Sequence, residues 1–113
     1  MISIKEYIQT QLETLGIPVY YEAFINNKAE IPATSYMIVD DIDTLVGDTL
    51  EYSNKVIQIK TWDERLNSLE VMTVSIDTLM KDLGFRRTFL NELVSDGVIT
   101  KVMRYSCITT NRR

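Results

Sequence analysis

The stretch from Asp63 to Gly84 constrains the fold more than any other part of the chain. Leu66, Leu69, Thr73, Ile76, Met80 and Leu83 recur there at intervals of three and four residues, which puts an apolar stripe along one face of a helix. Asp63 is placed to cap that helix and Gly84 to close it. At 1.5 Å per residue it spans roughly 30 Å, enough to lie across a whole small sheet. A helix with one apolar stripe must bury it against another layer, so the flanking segments have to supply that layer.

Those segments read as strands. From Tyr52 to Trp62 the pattern alternates, with Ile57 and Ile59 on one face and Val56, Gln58 and Lys60 on the other. Phe85 to Leu90 and Val98 to Thr110 form two closing strands around a Ser95-Asp96-Gly97 turn, and Thr110 to Arg113 reads as a frayed tail. Upstream, Ser35 to Val39 is a nearly continuous apolar run that suits a central strand or one covered on both faces, ending at Asp40 and Asp41. Val19 to Phe24 is a further strand, followed by a polar connection through Asn26, Asn27 and Lys28. A first helix runs from Ile4 to Leu15, with Ser3 and Glu6 as its capping box and Ile8 and Leu12 on its stripe. Gly16 supplies the left-handed residue that stops it, and Pro18 prevents continuation. The expected fold is α+β: a single, mostly antiparallel β-sheet with two helices packed on it, in the order α-β-β-β-α-β-β. A chain of 113 residues is too short for two independent cores, so residues 1–113 form one domain.

The chemistry available is narrow. With no histidine, the chain lacks the commonest general base near neutral pH and the commonest metal ligand. Its single cysteine, Cys107, lies within an apparent strand and reads as a small buried apolar residue. No Gly-rich phosphate loop, G-x-S-x-G elbow, C-x-x-C pair or H-E-x-x-H helix is present. An EF-hand loop begun at Asp41 fails, because Leu45, Val46 and Tyr52 stand where it needs an oxygen ligand, Gly and Glu. The expectation is a protein that is not an enzyme, with no catalytic, cofactor-binding or metal-ligating residues and no cofactor.

A formal charge of −4 disfavours specific nucleic-acid binding. The cations Lys101, Arg104, Arg112 and Arg113 read as a solvated strand end. No apolar run approaches the ~20 residues needed to cross a bilayer, and the opening Met-Ile-Ser-Ile-Lys-Glu is unlike a signal peptide, so no membrane partner and synthesis in the cytoplasm are expected.

Two features point toward partner proteins. Val71 and Val74 lie off the stripe of the long helix, on its outer side. Between Asp40 and Glu51 an extended hairpin arm carries Leu45, Val46 and Leu50 among Asp41, Asp43 and Asp48. Apolar residues flanked by carboxylates on a projecting arm suit docking onto another subunit, and these six are the candidate interface residues; an ordinary bulged hairpin is the alternative.

The layout resembles the tail terminator and tail-completion proteins of long-tailed siphophages and related prophages. The shared features are an opening amphipathic helix, the strand Val19-Tyr20-Tyr21, Pro32 leading into Tyr36-Met37-Ile38-Val39, and the acidic turn around Gly47-Asp48. They continue through a strand ending at Thr61-Trp62, a helix with Glu70, Ile76 and Leu79, and Gly84-Phe85 before long final strands. The resemblance covers nearly the whole chain as one tail-terminator-like domain. It implies a structural protein of the virion, assembled in the host cytoplasm, whose copies form a ring, usually a hexamer, at the head-proximal end of the tail tube. Such a ring ends tube growth and offers a head-joining surface. Its partners would be its own copies, the tail-tube protein and a head-connector or neck protein, with DNA passing through the lumen. Two other readings stay open: a neck or minor capsid protein of the same virion, and a bacterial small-ligand or regulatory binding domain.

Overall fold

The computed structural model describes the backbone of residues 4–21, 31–46 and 50–112, with side chains at 5–21, 31–40 and 54–108. The elements are α1 (Ile4–Glu13), β1 (Val19–Tyr21), β2 (Ala33–Val46), β3 (Leu50–Asp63), α2 (Leu66–Asp82), β4 (Arg86–Ser95) and β5 (Val98–Arg112). This is an α+β arrangement: one mixed sheet in the order β1-β2-β3-β5-β4, with two helices. β1 runs parallel to β2, Tyr20 opposite Ser35, whereas β2–β3, β3–β5 and β5–β4 are antiparallel.

Strand alternation decides where the core lies. Ile57 and Ile59 on β3 and Met103 and Tyr105 on β5 point to one face and are fully buried, together with Tyr36 of β2. Ile8 and Leu12 of α1 and Ile76 and Met80 of α2 close that same cluster from above. Both helices therefore cover one face, and the core lies between them and the three central strands. Each such aliphatic side chain contributes roughly 1.5–3 kcal/mol when fully buried.

Helix ends follow local chemistry. α1 stops at Glu13, two residues before the expected Leu15, because Thr14, Leu15 and Gly16 each donate to a carbonyl three residues back, tightening the last turn. Gly16 then takes φ +77°, the left-handed region its position calls for. At the end of α2, Phe85 N–H reaches Met80 C=O at 2.9 Å and Gly84 N–H reaches Lys81 C=O at 3.0 Å, the paired bonds of a Schellman cap. Its start differs from expectation. Asp63 is the last residue of β3, and its Oδ1 accepts from the Arg65 N–H at 3.2 Å, while Arg65 occupies the cap position without a side-chain bond. Leu66, expected on the stripe, is 49% exposed, because α2 begins with this residue turned away from the sheet.

Three strands outrun their expected limits. β2 does not end at Asp40: after an irregularity between Ile38 and Asp40 it continues to Val46, paired with β3 as far as Val46 opposite Leu50. β4 runs to Ser95 rather than Leu90, and β5 to Arg112, opposite Leu50, so residues 110–112 form part of the sheet and not a frayed tail. Acidic positions along β2 interrupt the sequence pattern without interrupting the backbone ladder. The helix-covered core ends near Ile38, Ile57 and Cys107. Past it, β2, β3 and β5 continue as a three-stranded ribbon for roughly 20 Å. The molecule accordingly measures 53 × 23 × 23 Å, with a radius of gyration of 15.4 Å, against about 13 Å for a compact domain of similar length.

The β4–β5 connection is a two-residue turn with positive φ at Asp96 and Gly97, 52° and 79°. Such primed turns match the twist of the strands they join.

Gly16→Val is expected to lower folding stability by roughly 1–3 kcal/mol through backbone strain alone, because nothing lies within 4 Å of a Cβ added there. Ile59→Ala is expected to cost more, ~2–5 kcal/mol. Urea denaturation of both variants checks the ranking.

Candidate functional site

The most polar cluster of the described residues lies where one flank of α2 meets β5 and β4. Leu69, Thr73, Ile76 and Met80 face the sheet, so Glu70 and Asp77, about a quarter-turn away, look toward the strands beside them. Lys101 on β5 is only 8% exposed, and its Nζ is 2.7 Å from Glu70 Oε1 and 3.6 Å from Glu92 Oε1 on β4. An ammonium that deep needs such partners, since an unpaired buried charge is heavily penalised. About two helical turns further on, Asp77 Oδ1 accepts from the Tyr105 hydroxyl at 3.0 Å and lies 3.5 Å from Arg87, while Oδ2 lies 2.7 Å from Lys81 Nζ.

Burial alone would raise the Asp77 carboxyl. The hydrogen bonds from Lys81 and Tyr105 and the charges of Arg87 and Lys81 outweigh it, holding Asp77 below the usual carboxylate range. Burial, with the Asp77 hydrogen bond and charge, pushes the Tyr105 phenol far upward, so it stays protonated as the donor. Neither group is poised to exchange a proton near neutrality. The cluster clamps α2 to the two strands.

A second candidate is the cleft of about 560 Å³ between α1 and the β1–β2 end of the sheet. Its walls are tyrosines: the Tyr21 and Tyr36 rings meet edge to face at 5.4 Å, and Lys5 Nζ lies 3.9 Å over the Tyr21 ring. Tyr36 Oη donates to the Lys5 carbonyl at 3.2 Å, and burial raises its pKa. These contacts hold α1 against the sheet, and Lys5, Glu6 and Gln9 complete the cleft's lining.

The face of the sheet away from the helices is different in character. Register and burial put Met37, Gln58, Lys60, Trp62, Arg86, Phe89 and Arg104 there. Arg104 donates to Gln58 Oε1 at 2.9 Å and lies over the Phe89 ring at 5.5 Å. Asp40 is the one carboxylate on this face among the described residues, so the face is net positive in a chain of formal charge −4. Of the four C-terminal cations, the side chains of Arg112 and Arg113 lie outside the described residues, and the other two do not cluster. Lys101 is buried on the helix side and Arg104 lies on the open side, because neighbours in a strand point to opposite faces.

Of the arm residues, Asp41, Asp43, Leu45 and Val46 lie on β2 and Leu50 opens β3, so the backbone places them along the ribbon. Their side chains, and Asp48 altogether, lie outside the described residues. Val71 and Val74 stand out from α2, 68% and 62% exposed. Cys107 is half-buried beside the core rather than enclosed by it.

One surface escaped the sequence reading: every residue of the edge strand β4 is exposed, with Phe89 and Leu93 on the open side and Leu90 and Val94 on the helix side. The signal was the pair of apolar doublets Phe89-Leu90 and Leu93-Val94, each of which puts one apolar residue on either face.

Among the described residues no group of three or more Cys, Asp or Glu side chains is gathered to hold a metal ion, and no helix is long and apolar enough to cross a membrane. Compared with known proteins, the chain matches no family model and no curated protein.

The clamp predicts an acid sensitivity. A carboxyl depressed in the folded state contributes stability that is complete above its unfolded value, 3.8, and is lost as pH falls through the lower folded value. Asp77→Asn should be less stable than the parent near neutral pH, and the gap should narrow as pH falls below about 4. Urea melts across an acid pH series measure this.

Proposed function

We propose that this protein is a structural component of a phage or prophage tail, forming a ring at the head-proximal end of the tail tube that ends tube growth and presents the head-joining surface. The observation that carries the reading is the ribbon of β2, β3 and β5 beyond the helix-covered core. Leu45, Val46 and Leu50 lie along this ribbon past the helices, and a ribbon of three strands needs a surface for its apolar residues. The neighbouring subunit of a ring supplies one, in a heterologous contact that closes by rotation. The layout of elements along the chain adds to this, as do side-chain clusters committed to packing rather than poised for catalysis.

In the ring, the six arm residues Asp41, Asp43, Leu45, Val46, Asp48 and Leu50 make the contact between subunits, carboxylates setting register and aliphatics supplying area. Six copies are the family's usual number. The tail-tube protein lies on one side and a head-connector or neck protein on the other, and no cofactor takes part. A channel through which DNA slides is best lined by acidic groups, since carboxylates repel phosphates. We therefore assign the basic open face of the sheet, with Lys60, Arg86 and Arg104, to a direction away from the channel.

Two experiments test the proposal. An early amber codon in the parent phage should yield, by electron microscopy, full heads separate from tails of abnormal length. Leu45→Ser with Val46→Ser should change monomer stability by no more than ~0.5 kcal/mol, as at exposed sites, yet fail to restore head-joined tails on complementation. A strongly destabilised monomer would put both residues in the fold's own core and remove the docking arm.

A further inference from the structure

β4 is an unprotected edge. Its ten residues from Arg86 to Ser95 are all exposed, it pairs on one side only, and it contains no proline and no lysine. Natural sheets usually blunt such an edge with charge, bulges, shortness or a covering element. Here one bulge, between Arg87 and Phe89, lies near the start, and the remaining strand carries four large apolar side chains 43–69% exposed. The opposite edge of the sheet is β1, only three residues long and partly buried.

We infer that β4 pairs antiparallel with β4 of a second copy of this chain, about a two-fold axis at Asn91, joining two five-stranded sheets into one. The strand is polarised in a way that its own reverse matches: Arg86 and Arg87 stand at its start, Glu92 in its second half and Asp96 in the turn beyond. Antiparallel self-pairing brings the basic end of each copy to the acidic end of the other. Side chains directly opposite each other share a face, and like charges there are unfavourable. With Asn91 at the axis, Phe89 meets Leu93 twice on the open face, Leu90 lies opposite Glu92, and Arg86 reaches the Ser95-Asp96 end. Shifting the axis to Glu92 sets two carboxylates face to face. Shifting it to Leu90 leaves Phe89 against Asn91 and Leu93 without an apolar partner. The Asn91 register is the one that sets Phe89 against Leu93 on the open face while bringing Arg86 to the acidic turn and keeping the two Glu92 carboxylates apart.

This pairing is independent of the tail ring. It is isologous and closes at two copies, whereas the ring needs heterologous contacts through the arm. A closed pair also occupies an edge that would otherwise template open-ended strand addition.

Cysteine cross-linking in a Cys107→Ala background, which removes the only native thiol, tests the register. Asn91→Cys puts two thiols across the axis, within the 4.4–6.8 Å Cα separation that a disulfide requires, and a covalent dimer is expected under mild oxidation. Leu93→Cys, similarly exposed, places its two thiols four residues out of step, about 14 Å along the strand, and should not cross-link. Sedimentation equilibrium of the unmodified chain should show a reversible dimer, and Leu93→Lys should shift it to monomer with an unchanged circular dichroism spectrum. Equal cross-linking at both positions would mean random collision and overturn the inference. A chain that stays monomeric would overturn it too, leaving the edge for another protein's strand. So would a dimer that persists in a folded Leu93→Lys variant, or a larger assembly with no cross-link at position 91.

Discussion

The fold rests above all on burial against the helix-covered face of the sheet. The two helices lie on the same face of the sheet, and α2 sets Leu69, Ile76 and Met80 over the face formed by Ile57, Ile59, Met103 and Tyr105. Once those contacts exist, alternation fixes the other face of every strand, and with it the register of pairing: a slip of one residue would turn Ile57 and Ile59 outward and Gln58 and Lys60 inward. The ribbon draws on the same source. Ordering each residue costs roughly 1–2 kcal/mol of backbone entropy, and among the described residues no helix lies above the ribbon to offset that. Its pairing is propagated from the covered part of β2, β3 and β5.

The polar seam shows how a chain without histidine still places charge inside. Lys101 and Asp77 are both recessed, and each is held by more than one partner drawn from α2, β4 and β5. This makes them poor candidates for turnover and good ones for fixing the helix axis relative to the strands. An ion pair of this kind contributes little net energy over a hydrophobic replacement, but removing one partner leaves an uncompensated charge.

Much of this architecture was legible in the sequence. The stripe of α2, the stop at Gly16, the turn at Asp96-Gly97 and the inward set Ile57 and Ile59 all follow from short-range periodicity or from backbone conformations that glycine favours. What was not legible has a common cause. The ends of β2, β4 and β5 are set by the partner strand's backbone, so the strands expected to stop at Asp40 and Asp41, at Leu90 and at Thr110 continue past those residues. Proximity in sequence misled in the same way at Lys101 and Arg104, which are near neighbours in the chain and lie on opposite faces of the sheet. The start of α2 was misplaced because Asp63 offers the same side-chain oxygen whether it caps a helix or ends a strand. Of the candidate arm residues, the backbone gives position along the ribbon and nothing about what their side chains touch.

The elongation has a hydrodynamic consequence. Fourteen-residue strands such as β2 and β3 reach roughly 46 Å at about 3.3 Å per residue, so the 53 Å axis is that of the strands, against 23 Å across. A body of that shape drags more than a sphere of equal mass, and tumbles end over end more slowly than it spins about its length. A single subunit will elute early from a sizing column, as though it were a larger particle. Its strand amides, whose N–H bonds lie across the long axis, will relax differently from any group whose bond lies along it, so friction and spin relaxation both carry the imprint of strands that continue past their helices.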